Sequence, residues 1–189
     1  MKRLTTAMMV GAVATLLAAS TANAQYVYFG GGANIPTGSF KDGVKTGWIA
    51  TAGLGADVGK KGLWVEAEGW YGQNKWKTDA TSPYDEPGKT KLWSALGVLG
   101  YDLMHDKKWT PYIAAGAGVL GAKNSSDDGL ISGSSTKFAY TGAVGVGFEA
   151  GSSAHIFVEA RYLAGTSSGY AKMLPITAGV SIRFGKKKM

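Results

Sequence analysis

Cysteine is absent from the chain, which excludes disulfides and thiolate metal sites outright. Histidine is scarce: His105 and His155 are the two present. Neither sits at the spacing of a zinc motif, and no Ser/His/Asp order or H-E-x-x-H run occurs. Helix signals are nearly missing, because the 29 glycines recur through every apolar stretch and glycine disfavours helix interiors. Beyond the first two dozen residues, no apolar run approaches the ~20 residues that a membrane helix needs. A membrane-spanning fold would therefore have to be a closed barrel, since only helices and barrels satisfy every backbone group in lipid.

The N-terminus carries the parts of an export signal. Lys2 and Arg3 give a positive start, Ala7 to Ala19 a short apolar run, and Ala22-Asn23-Ala24 a small-residue cleavage site. The run is about half the length of a transmembrane anchor. Residues 1–24 are expected to be a secretory signal, with cleavage before Gln25. The mature domain would then be residues 25–189, enough for one domain. An exported chain without cysteine needs no covalent staples. The formal net charge of +7 falls to +5 once Lys2 and Arg3 are removed. For an exported protein, that balance points to an anionic membrane surface and not to nucleic acid.

The main positive signal is period-two alternation. In residues 174–184, one parity is Leu174, Ile176, Ala178, Val180, Ile182 and Phe184, all apolar. The other is Pro175, Thr177, Gly179, Ser181 and Arg183, small or polar. A strand sends alternate side chains to opposite faces, so this segment has one greasy side and one polar side. Eight such segments are predicted, over 26–33, 46–58, 62–75, 90–103, 109–121, 137–149, 154–164 and 173–184. The third sets Leu63, Val65, Ala67 and Tyr71 against Trp64, Glu66, Glu68 and Trp70. The seventh sets Ile156, Val158, Ala160 and Tyr162 against Glu159 and Arg161. In the fourth, Leu96 and Val98 share a face with Asp102, which leaves its orientation open.

The connections run about 12, 3, 14, 5, 15, 4 and 8 residues, and this long–short alternation belongs to up-and-down outer-membrane barrels. Aromatics lie near strand ends: Tyr26, Trp48, Tyr71, Trp76, Trp93, Tyr101, Trp109, Tyr112, Phe138, Phe148 and Phe184. Those are the positions of interfacial girdles. The fold class is all-β: an eight-stranded antiparallel up-and-down transmembrane β-barrel.

The export signal, Tyr26-Val27-Tyr28-Phe29-Gly30-Gly31-Gly32, Pro111 to Gly118, Val158-Glu159-Ala160-Arg161-Tyr162 and the closing strand carry a family likeness. Over the whole mature chain the sequence resembles the small eight-stranded outer-membrane barrel family, which includes OmpX, the OmpA membrane domain and the opacity proteins. The resemblance implies an outer-membrane location, no cofactor and a C-terminal strand read by the assembly machinery. Members end on the closing aromatic, whereas here Gly185-Lys186-Lys187-Lys188-Met189 follows Phe184.

An eight-stranded barrel is just wide enough for side chains to fill it. The polar parities contribute Asp57, Glu66, Glu68, Glu149, Glu159, Arg161 and Arg183, with Lys137 and Asp102 as further candidates. Unpaired charges there would be costly, so the expectation is an interior ion network centred on Arg161 and Arg183. Lys41, Lys45, Lys75, Lys77, Lys89, Lys91 and Lys123 lie in or beside external loops, where they could meet lipopolysaccharide phosphates or serve as solubilising charge. His155 is followed by no serine at useful spacing, and Glu66 with Glu68 reads as an interior pair before an acid/base pair. No catalytic residue and no metal site are assigned.

The leading function is a monomeric barrel with a structural or surface-interaction role, a polar plugged interior and external loops as the interaction surface. The alternatives are a narrow porin-like channel and, more weakly, a soluble lipocalin-like binder with an apolar interior.

Overall fold

The computed structural model describes residues 25–58, 62–78, 87–104, 107–167 and 169–184. The expected signal 1–24, residues 59–61, His105, and the tail 185–189 lie outside the described residues. Eight strands follow one another: β1 (Gln25–Pro36), β2 (Gly47–Asp57), β3 (Leu63–Lys75), β4 (Gly88–Asp102), β5 (Trp109–Ser126), β6 (Ser132–Glu149), β7 (Ala154–Gly165) and β8 (Lys172–Phe184). A four-residue helix, α1 (Phe40–Gly43), interrupts the first connection. Every strand pairs antiparallel with the next, and β8 returns to β1 with Tyr26 opposite Arg183, so the sheet closes. Closure leaves no open edge round the barrel wall.

The alternation read from the sequence sorts the two faces. Trp48, Leu54, Val144, Ile156, Val158 and Ile176 point outward and are exposed, Val144 by 59% and Leu54 by 56%. Apolar side chains exposed on every strand suit hydrocarbon, not water. Glu68, Glu159, Arg161 and Thr177 point inward and are buried. The open case of β4 is resolved: Leu96 and Val98 face the lumen together with Asp102, whose carboxylate accepts the Trp64 indole N–H at 2.8 Å.

Inward aromatics lie flat across glycines of the adjacent strand. Tyr26 covers Gly55, Tyr28 covers Gly53, Trp64 covers Gly100 and Tyr112 covers Gly145, and a methyl group at any of the four glycines would overlap the ring. Each pair is directly opposite in register or shares a strand pair in register. Glycines at such positions let a sheet curve toward closure. The pairs also correct an expectation. Tyr26 and Tyr112, assigned to the girdles, turn into the lumen because glycine offers a seat there. Trp76 is likewise buried, and its indole N–H donates to Thr90 Oγ1 at 3.0 Å.

The connections differ from expectation at two places. The first holds α1, whose Phe40 packs on an apolar cluster of Leu92, Leu96, Leu120, Leu163 and Met173 near the loop end of the lumen. The fifth is not a long loop. β5 and β6 continue as a ribbon as far as Ser125 opposite Ser132, with β4 alongside β5 up to Gly88 opposite Ser126, and residues 127–131 join the two. β7 does not follow: its pairing with β6 begins at Ala139 opposite Gly165, so residues 132–138 have no strand on that side among the described residues.

Candidate functional site

The lumen is crossed by one ionic node. Arg161 on β7 donates through Nε to Glu159 Oε1 at 2.7 Å and through Nη1 to Glu68 on β3. Its guanidinium also lies 5.0 Å over the Trp70 ring, a cation–π contact that strengthens where water is excluded. Arg161 is 2% exposed and Glu68 5%. Tyrosines complete the carboxylates' hydrogen bonds. Tyr28 donates to Glu68 at 2.5 Å, Tyr112 to Glu159 at 3.1 Å and Tyr26 to Glu66 at 2.6 Å. A second node lies toward the turn end, where Arg183 meets Asp57 at 3.0 Å and covers the Tyr26 ring at 5.7 Å. Tyr26 thereby stands between Arg183 and Glu66.

The structure therefore brings together six of the seven candidate interior charges. Glu149 is the exception. Its parity is inward, but it is the last residue of β6 and is exposed at the rim, opposite His155. Parity gives a side chain's direction and not its depth. Lys137 likewise has inward parity, opposite the buried Leu120, yet is exposed above the barrel wall.

At the loop end, polar bonds fasten the first connection to the ends of β1 and β3. Asn34 and Asn74 are buried and joined at 2.7 Å, and Asn74 also donates to the Lys45 carbonyl at 2.8 Å. Val44 bridges to Trp76, and both side chains are buried. On the 127–131 turn, the Ser126 hydroxyl and the Leu130 N–H, the latter at 3.0 Å, both donate to Asp128. These bonds hold the Asp128 carboxyl below the ordinary aspartate range.

The loop lysines separate into two groups. Lys41 on α1 and Lys45 are exposed on the first loop, and the Lys77 N–H donates to Gly43 at 2.9 Å where the first two loops meet. Lys75, Lys89, Lys91 and Lys123 stand on the outward face of β3, β4 and β5, just above Tyr71 and Trp93. Lys75 is directly opposite Lys89, and Lys91 directly opposite Lys123.

A closed barrel with an apolar outer belt, aromatics at its margins and charges paired inside defines an integral outer-membrane barrel. Residues 5–184 match the family described as outer membrane protein beta-barrel domain, and the chain belongs to it. The protein lies in the outer membrane, so the soluble-binder alternative falls. Its fold is similar to Neisserial surface protein A (TM-score 0.67, 18% identity, 86% of this chain and 99% of that one). It is also similar to Ail, the attachment invasion locus protein of Yersinia pestis (TM-score 0.55, 17% identity, 87% and 100%). A further neighbour is Ail in complex with the heparin analogue sucrose octasulfate (TM-score 0.54, 16% identity, 87% and 100%). No curated protein matches the sequence significantly.

Proposed function

We propose that this protein is a surface-interaction barrel: the wall anchors it, the lumen is plugged, and the external loops carry the function. In this reading residues 1–24 are removed on export, and the mature monomer starts at Gln25. By the rule of short periplasmic turns and longer external loops, α1 and the β5–β6 ribbon face outward. The assembly machinery would read β8. No catalytic role is assigned to any residue.

The observation that carries the plug is the Arg161 node. It spans the lumen at mid-height with its polar atoms bonded to one another. Above it lie Leu163 and Met173, both 0% exposed. A hydrated ion would have to break the node and then pass the apolar cluster of Leu92, Leu96, Leu120, Leu163 and Met173. Planar-bilayer recording of the refolded full chain tests the reading. The expected result is a silent bilayer; discrete, reproducible conductance steps would support the channel alternative instead.

A further inference from the structure

We infer that Lys75, Lys89, Lys91 and Lys123 form one binding site for the phosphates of an outer-leaflet glycolipid headgroup, with Trp93 as its floor. The inference rests on the outer-membrane orientation proposed above and names a partner for that surface. Three observations carry it.

The first is charge in register. Lys75 faces Lys89 across the β3–β4 pair, and Lys91 faces Lys123 across β4–β5. Directly opposed side chains on one face of a sheet are about 5 Å apart, and like charges there destabilise the pairing. Two such pairs are stacked within two residues on β4, about 7 Å of strand. Lys89 reaches one acid, Asp127, at 4.0 Å. No carboxylate among the described residues lies within ion-pair distance of Lys75, Lys91 or Lys123. Four ammonium groups that meet one acid among the described residues call for external anions.

The second is height. Trp93 is two residues below Lys91 on the same outward face, and Tyr71 is directly opposite Trp93. Tyr71 in turn packs on Trp48, with ring centroids 5.7 Å apart. This row is an interfacial girdle, with the apolar belt continuing from Trp93 down to Tyr101 over about 20 Å of tilted strand. The ammonium groups one step above it stand where headgroup phosphates lie.

The third is the floor. Trp93 lies flat across Gly121 of β5, where a Cβ would overlap the indole. The ring is therefore held against the wall directly beneath the Lys91–Lys123 pair. Below it, Ala95, Gly97 and Ala117 leave the outer face smooth enough for acyl chains to lie close.

The test uses the full chain in octyl glucoside micelles, titrated with fluorescent bis-phosphorylated lipid A. Wild type is compared with Lys91→Gln/Lys123→Gln, with Lys91→Arg/Lys123→Arg and with the opposite-end control Lys107→Gln/Lys108→Gln. Heat-modifiable gel mobility establishes that each variant is folded. The glutamine pair is expected to weaken binding about thirtyfold, roughly fivefold per charge lost. The arginine pair should stay within about threefold of wild type, and the opposite-end pair should be unchanged. Dephosphorylated lipid A should bind as weakly as the glutamine variant sees the intact lipid, and equimolar inorganic phosphate should not compete.

Should the glutamine pair not fold, Lys75→Gln/Lys89→Gln is read in its place with the same expectation. Undiminished lipid A binding in the folded glutamine variant overturns the inference, as does an equal loss in the opposite-end control. Sucrose octasulfate binding that depends on these lysines while lipid A binding does not would assign the patch to a soluble polyanion and also overturn it. Conductance by the wild type would instead remove the plugged-barrel reading and leave the lipid result standing.

Discussion

Arg161 and Glu68 bond to each other from opposite walls: β7 and β3 stand four strands apart in either direction round the closed sheet. Ninety-three residues separate them in sequence. The contact exists only once the barrel has closed, so it ties the node to the complete fold.

Removing Arg161 leaves Glu68 and Glu159 buried without their cation. Arg161→Ala should cost about 3–5 kcal/mol, because an uncompensated buried charge is far worse than a missing pair. Replacing all three residues together, as Arg161→Met/Glu68→Leu/Glu159→Leu, should recover most of that loss. Urea unfolding in micelles, followed by gel mobility, measures both. A single mutant as stable as wild type would show the carboxylates to be satisfied elsewhere.

The tyrosine donors should rank by geometry. Tyr28→Phe removes a 2.5 Å bond to a buried carboxylate and should cost about 1.5–3 kcal/mol. Tyr112→Phe removes a 3.1 Å bond to a carboxylate that Arg161 already serves, and should cost about 1 kcal/mol. The same unfolding assay decides the order, and the reverse order would refute this account of the node.

The glycine seats make a sharper contrast. Gly100→Ala drives a methyl into the Trp64 indole, which overpacks the site by about 1–3 kcal/mol. Gly142→Ala, whose new methyl would meet nothing closer than the Ala114 carbonyl at 4.0 Å, should be neutral or gain up to about 1 kcal/mol from a stiffer unfolded chain. Equal midpoints for the two variants would argue against aromatic seating as a closure device.

Asp128 supplies the pH prediction. Its carboxyl is held low by Ser126 and then by Leu130. A depressed acid stabilises its turn above the ordinary aspartate value of about 3.9 and loses that contribution as pH falls through the depressed one. Amide exchange at Leu130 should therefore stay slow down to below pH 3.9 and quicken only at lower pH. Asp128→Asn should flatten that profile.

The wall was legible from period two alone, because lipid outside and charge inside leave opposite marks on alternate residues. That is why Glu68, Glu159 and Arg161 could be assigned inward. The tyrosines were not, since an aromatic near a strand end reads the same whether it meets headgroups or a glycine. Tyr112 did share its parity with Ala114, Gly116 and Gly118, which was the available sign of a lumen-facing side. The outer part of β6, residues 132–137, was illegible for a different reason: both of its faces are exposed, so nothing alternates. The four-lysine patch needed register across two strand pairs, which spacing along one chain does not contain.

The ribbon's margin without a neighbouring strand has a consequence for life in a crowded membrane. Residues 132–137 are Ser-Gly-Ser-Ser-Thr-Lys, with no apolar side chain before Phe138. An unpartnered strand ordinarily recruits another, and hydrophobic side chains are what make the zippering persist. Here a neighbour meeting the margin side-on finds hydroxyls and an ammonium, while the exposed apolar pair Leu130 and Ile131 is confined to the turn, so molecules can jostle at high density without zippering along that edge.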